Sequence, residues 1–353
     1  MCGLFGYCGN AKNHSQLKKF IRILAIETSD RGTDATGFAA LRDDGSYIGA
    51  KAAVPASAFV FKNKQFNDAF DAKARLFIGH CRLATHGDVK NNSNNHPHIS
   101  KDRSLAIVHN GIVYGHTELA NEHGATLHSE CDSEVVLRLV EHAIPVGERK
   151  CYDKLVDVAQ TLEDFSAMFS VLVLDRARRC VWSFRSYTNP LVYWESEQLG
   201  VTVYASESEH IRAAARIVFG KNVARELECF SPDPGRVARF NDRGRVTYSH
   251  READCTPMSA RYYGATTDYT TSSRWADELY GSAGSVKNDD AYGVHGDEYD
   301  ESLPLRDIMP HRWPTTTIKS GAADVIAADS IAHTDECACA LCASRKASEA
   351  RNG

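Results

Sequence analysis

Short runs of apolar, β-branched and aromatic residues, each closed by turn residues, recur over the first 255 positions and predict strands. The strongest are Leu76-Phe77-Ile78-Gly79, Leu105-Ala106-Ile107-Val108, residues 168–174 and residues 180–184. Residues 190–194 and 201–204 continue the last two into an antiparallel meander, with turns at Arg176-Ala177-Arg178-Arg179 and Gln198-Leu199-Gly200. Helical spacing takes over at Leu17, Phe20, Ile21 and Leu24 behind a cap at Ser15, and at Val135, Val136, Leu139 and Val140 behind Ser133. Ser206-Glu207-Ser208-Glu209 predicts a capping box opening a third helix through Ile211 and Ala214. Both kinds of stretch together predict α/β layers (α+β) with largely antiparallel sheets.

Composition narrows the class of partner. The 353 residues are 43% hydrophobic and 25% charged, which excludes a wholly disordered chain and a fibre. A net charge of −5, from 41 basic and 46 acidic residues, gives no electrostatic case for nucleic acid or an anionic membrane, and favours a small molecule or a protein. The pattern divides after Cys255. Residues 256–353 have few periodic apolar runs and carry nine basic against fifteen acidic residues, while residues 1–255 are nearly balanced. One domain over 2–255 is therefore predicted, followed by an acidic, irregular tail over 256–353 that is flexible or orders only on a partner. No window reaches the ~18 apolar residues of a membrane span, and no basic-then-apolar leader follows Met1. A cytoplasmic protein with reduced thiols is the expectation, so its eleven cysteines are not a disulfide framework.

The first candidate for chemistry is Cys2. A small second residue allows Met1 to be removed, leaving a thiol and a free α-amine on one residue, a nucleophile with its own base. A chance buried cysteine is the bland alternative. Arg31-Gly32-Thr33-Asp34-Ala35-Thr36-Gly37 is too polar for a core and predicts a site-facing loop, with Arg31 and Asp34 in support. The strand ending at Gly79 runs into His80-Cys81-Arg82-Leu83-Ala84-Thr85-His86-Gly87, where Arg82 offers a fork for a carboxylate and Thr85 and His86 add polar contacts; a surface salt bridge is the rival reading of Arg82. His109-Asn110-Gly111 ends another strand, and an Asn amide beside a Gly N–H is the donor pair an acyl-transfer oxyanion needs, although Asn-Gly is equally a turn signal. Ser129-Glu130-Cys131-Asp132-Ser133-Glu134 leads the helix at Val135, and a carboxylate there either caps it or pairs with a substrate ammonium. Asn95-His96-Pro97-His98 raises the question of a metal, but no cysteine or carboxylate set at ligand spacing accompanies the pair, so no metal is expected there.

In this order, Cys2-Gly3, residues 31–37, residues 79–87, residues 95–98, Val108-His109-Asn110-Gly111-Ile112 and residues 129–135 resemble the class II glutamine amidotransferases, which are N-terminal nucleophile (Ntn) hydrolases. The closest likeness is to the glutaminase domain of glutamine–fructose-6-phosphate aminotransferases, over about residues 2–230. The resemblance implies a four-layer α-β-β-α sandwich that releases ammonia from L-glutamine without a cofactor. It implies Cys2 as nucleophile with its α-amine as base, and Asn110 with Gly111 as the oxyanion hole. Arg82 would take the substrate carboxylate and Asp132 its ammonium, with Thr85, His86 and His96 lining or ordering the pocket. Leu83 stands where the sugar aminotransferases typically have tryptophan. The tail is too short for a synthase domain, so the ammonia acceptor, a synthase or transferase, is expected on another chain, and homo-oligomerisation is left open. The alternatives are an Ntn amidase for another amide and a catalytically silent assembly protein. Cys337, Cys339 and Cys342, with His333, form a further metal candidate in the tail, though their spacing matches no standard zinc motif.

Overall fold

Strands without polar alternation need a sheet covered on both faces, and the computed structural model, which describes residues 2–71 and 73–255, has two of them. β1 (Gly3–Gly9), β2 (Ala35–Leu41), β3 (Tyr47–Ala52) and β4 (Leu76–Arg82) belong to the first sheet. β5 (His98–Ile99), β6 (Leu105–Ile112), β7 (Met168–Asp175) and β8 (Cys180–Arg185) belong to the second. β9 (Val192–Ser196) and β10 (Val201–Ala205) return to the first, and β11 (Arg236–Asn241) and β12 (Val246–Glu252) complete the second. The orders are β3-β2-β4-β1-β10-β9 and β12-β11-β8-β7-β6-β5, every pair antiparallel. The predicted hairpin turns are correct, but the four late strands are not one meander: β7-β8 and β9-β10 are hairpins in different sheets.

The helices are α1 (His14–Thr28), α2 (Ala56–Lys62), α3 (Lys64–Asp71), α4 (His116–Glu122), α5 (Ser133–Ala143), α6 (Cys151–Asp164), α7 (Ser208–Phe219) and α8 (Lys221–Glu226). Residue alternation along each strand assigns the layers. Leu4 and Cys8 of β1, Ile78 of β4, Ala106 and Val108 of β6 and Leu172 and Leu174 of β7 share the core between the sheets. Ile107, Val171 and Val173 face the other way, onto Val136 and Val140 of α5 and Leu155 and Leu162 of α6. On the outer face of the first sheet, Tyr7 stacks on Phe70 of α3, and Phe38 and Phe77 meet Phe66 of α3 edge to face. The result is the α-β-β-α sandwich. Among the described residues no helix is long and apolar enough to cross a membrane. The tail, residues 256–353 with Cys337, Cys339 and Cys342, lies outside the described residues.

Local predictions fail where tertiary partners take the groups they relied on. Asn13, not Ser15, caps α1, accepting from the Gln16 amide at 3.1 Å. The capping box at Ser206 does not form. The Ser206 hydroxyl instead accepts from the Leu4 amide at 2.9 Å, and Glu207 pairs with Arg31. Residues 35–37, predicted as loop, open β2, and Gly37 has the reason: a Cβ there would lie 2.1 Å from the His96 carbonyl oxygen.

Candidate active site

Antiparallel pairing of β1 with β4 sets Gly3 opposite Cys81, so the start of β1 and the end of β4 share one rim. The Cys2 thiol contacts the Leu83 backbone there, with both its N and its O at 3.4 Å from Sγ. Arg31 donates from Nε to the Cys2 carbonyl at 2.9 Å and pairs with Glu207. Asp34 fixes the other side of the rim, accepting from the Ala84 amide at 2.8 Å while its own amide donates to the Arg82 carbonyl at 2.9 Å. The two residues predicted as support thus hold the backbone around the thiol.

The second sheet meets the first through His80, whose Nε2 lies 2.9 Å from the His109 carbonyl oxygen. Asn110 and Gly111 follow immediately on β6. Asn110 is buried, and neither its Oδ1 nor its Nδ2 has a partner, although its backbone carbonyl accepts from Asn189 Nδ2 at 2.8 Å. A buried unpaired amide costs about 1–3 kcal/mol, and such groups belong where a ligand will complete them. Gly111 has φ +154°, and its pairing with Phe169 shows that residues 110–111 form part of a strand and not an Asn-Gly turn.

Arg82 is buried. Its Nη1 donates to Asn95 Oδ1 at 2.7 Å and its Nη2 to the carbonyls of His86 and, at 3.3 Å, Gly87. These three bonds orient the fork, and two of the five guanidinium donors remain for a ligand. Asp132 is buried at the first turn of α5 but makes no side-chain cap; its Oδ2 accepts from the Val113 amide at 2.7 Å. Charge links the group: burial raises the Cys2 thiol pKa, the Leu83 amide and Arg82 pull it down, and Asp132 pushes it up. At neutral pH the sulfur therefore needs a base. Thr85 is exposed and His86 half-buried, its ring 5.7 Å from that of His116. His96 is buried and its ring lies 4.0 Å from that of His80. Burial first, then the neighbouring imidazoles and Arg82, holds His96 well below its ordinary pKa, and burial takes His80 down to about 3.

Three contributors escaped prediction. Lys51, buried on β3, donates to the carbonyls of Asn95 at 2.6 Å and Pro97 at 3.1 Å, so it holds the Asn95 that orients Arg82. Burial lowers its pKa to about 8. The only signal was one charge in an otherwise apolar strand. Asn189, in an Asn-Pro-Leu turn similar to one of the glutaminase domains, braces Asn110 from 79 positions away, a contact that no local pattern predicts.

Glu134 is the third. Its Oε2 accepts from the amides of His128 at 2.8 Å and Ser129 at 2.6 Å and from the Ser129 hydroxyl at 2.8 Å, while Oε1 pairs with Arg138. Burial raises its pKa, but the Ser129 and Arg138 bonds with the two amides outweigh it and hold the carboxyl below its ordinary 4.5. The stabilisation from a depressed carboxyl is complete above that value and drains away as pH falls through the lower folded-state value. Glu134→Gln is expected to cost about 1–3 kcal/mol at pH 7. Urea melts across pH should show the gap to wild type closing in acid; a gap that persists there contradicts the assignment.

In sequence over part of its length, and in fold, the chain is similar to glutamine amidotransferases. Residues 80–213 match the family model described as "Glutamine amidotransferase domain". The glutamine–fructose-6-phosphate aminotransferases of Staphylococcus aureus and Staphylococcus epidermidis are each 35% identical over 144 residues, covering 40% of this chain and 22% of theirs. The matched stretch thus spans about a fifth of those relatives' length. Among solved structures, the glutamine phosphoribosylpyrophosphate amidotransferase of B. subtilis superposes with a TM-score of 0.51 at 20% identity, covering 71% of this chain and 50% of that one. At that identity the likeness concerns the fold alone.

Proposed function

We propose that residues 2–255 are a glutaminase that hydrolyses the side-chain amide of L-glutamine to glutamate and ammonia, the ammonia passing to a synthase or transferase on another chain. The observation that carries this reading is the buried Asn110 amide, unpaired beside Gly111. After loss of Met1, the Cys2 α-amine takes the thiol proton, directly or through a water, and sulfur attacks the amide carbon. The oxyanion collects N–H bonds from Asn110 Nδ2 and the Gly111 backbone. Collapse breaks the C–N bond, the proton returns to the leaving nitrogen, and ammonia departs from a thioester. Water then adds to that thioester, giving glutamate and the free thiol. The remaining Arg82 donors bind the α-carboxylate and Asp132 the α-ammonium.

A free amino acid is the substrate that needs both of these charges. In a glutamate-release assay Asp132→Asn is expected to raise KM for glutamine by about 10–100-fold, the low end of the cost of truncating a buried charge partner, with a smaller change in kcat. Unchanged KM in a folded variant would assign the pocket to an amide without the α-amino group. Intact mass must also show Met1 removed, because a blocked amine supplies no base.

A further inference from the structure

The proposed chemistry gives His96 a modest part and His98 none, yet the fold buries both, at 4% and 5% exposure. Both ring nitrogens of His96 and the Nε2 of His98 are buried without a hydrogen-bond partner. Three such atoms in one place call for an occupant, at a cost of about 1–3 kcal/mol each if left bare. The thiol that the sequence does not place near them comes from a separate segment. Cys131 is 3% exposed, and one ligand atom from each of His96, His98 and Cys131 lies within 4.8 Å of the other two. Its sulfur makes a long hydrogen bond, 3.8 Å to Asp132 Oδ1, and Ser133 also hydrogen-bonds the thiol.

We propose that His96, His98 and Cys131 form a binding site for a thiophilic divalent cation, zinc foremost. Zinc takes imidazole nitrogen at about 2.0–2.1 Å and thiolate sulfur at about 2.3 Å, which sets neighbouring donors roughly 3.3–3.8 Å apart. The widest pair here would close by about 1 Å, a side-chain adjustment. Burial already keeps both imidazoles neutral, the form that ligates. Cys131 is a thiol held at about 11, first by burial and then by Asp132, and a coordinated ion removes that proton outright. One proton leaves as the S–metal bond forms. Lys51 and Arg82 oppose the incoming charge, while the new thiolate, Asp132 and Glu134 offset it.

The ion would sit beside the Asp132 carboxylate and withdraw His96. On the glutaminase reading, which this consequence alone rests on, the metal-bound form holds the glutamine ammonium more weakly, and the site acts as a brake.

The test uses the full chain with Cys337, Cys339 and Cys342 replaced by serine, so that the tail contributes no thiolate. Zinc content after dialysis is expected to be about one equivalent, and cobalt is expected to give a thiolate charge-transfer band. Adding Cys131→Ser or His98→Gln should weaken binding by more than about 100-fold, beyond the loss of an outer-shell partner, and Cys131→Ser should abolish the band. Stray zinc only in the triple-serine parent, or a band unchanged by Cys131→Ser, overturns the site. Should Cys131→Ser misfold, the parent's cobalt band and the His98→Gln affinity decide. These readings need no glutamine, so a failed glutaminase assay leaves them intact. Added zinc should raise the KM for glutamine in the parent and not in His98→Gln; an unchanged KM in the parent removes the brake.

Discussion

Cys2→Ala is expected to lower glutamate release from glutamine by about 10⁴-fold or more, the scale of losing a nucleophile that works with its base as a unit. The sulfur has no substitute among its neighbours. Two buried histidines of the site are held low, His80 at about 3 and His96 well below its ordinary value, so neither is a competent base for a thiol whose own pKa burial has raised. The proposed base is the α-amine of the same residue. Alanine keeps the small second side chain that permits Met1 removal, and it keeps the carbonyl that Arg31 holds at 2.9 Å. The partly buried Cys2 side chain makes its hydrogen bonds to the Leu83 backbone, which alanine does not bury or strain, so stability should change by less than about 1 kcal/mol. Loss of activity would then be loss of chemistry. The glutamine analogue 6-diazo-5-oxo-norleucine should add one adduct to the wild-type chain, mapped to Cys2, and none to the variant. Activity within tenfold of wild type, in a folded variant with Met1 removed, would remove Cys2 from the mechanism.

How much of this could be read before folding depends on what each residue needs. β4, β6, β7 and β8 were legible because both faces are covered, so their apolar runs are unbroken. β2 was not: Ala35-Thr36-Gly37 are small or polar because the His96 backbone presses on Gly37, a constraint from 59 positions away. α6 was legible and overlooked, since Leu155, Val156, Val158, Ala159 and Leu162 recur at helical spacing. The ordered motifs brought the rim residues to attention, but they did not say how the rim is braced. Arg31 on the Cys2 carbonyl, Asp34 on the Ala84 amide, and Lys51 through Asn95 to Arg82 are tertiary contacts between elements distant in sequence. The meeting of Cys131 with His96 and His98 is of the same kind. The chain lists its reactive groups; only the fold says which of them share a cavity wall.

Gly111→Ala is expected to be the most damaging methyl in the domain, costing more than about 3 kcal/mol by combining backbone strain with overpacking. An added Cβ would lie 1.8 Å from the Met168 carbonyl oxygen and 2.7 Å from His109 Nε2, and φ at +154° is already a conformation that side chains rarely adopt. The carbonyl belongs to β7, which pairs with β6 through Gly111↔Phe169 and Ile112↔Met168, so relief requires opening the β6–β7 pair of the second sheet. That movement turns the Gly111 N–H and Asn110 together, which ties stability to the oxyanion site. Gly124→Ala is the matched control: φ there is +60°, but nothing lies within 4 Å of the new methyl. Strain alone should cost that variant about 1–2 kcal/mol with no loss of kcat. Urea denaturation should therefore separate the two by at least about 1–2 kcal/mol, with kcat lost only in Gly111→Ala, by about 10²–10³-fold in whatever fraction folds. If both melt together and both turn over glutamine normally, β6 does not need its glycine, and the oxyanion assignment falls with it.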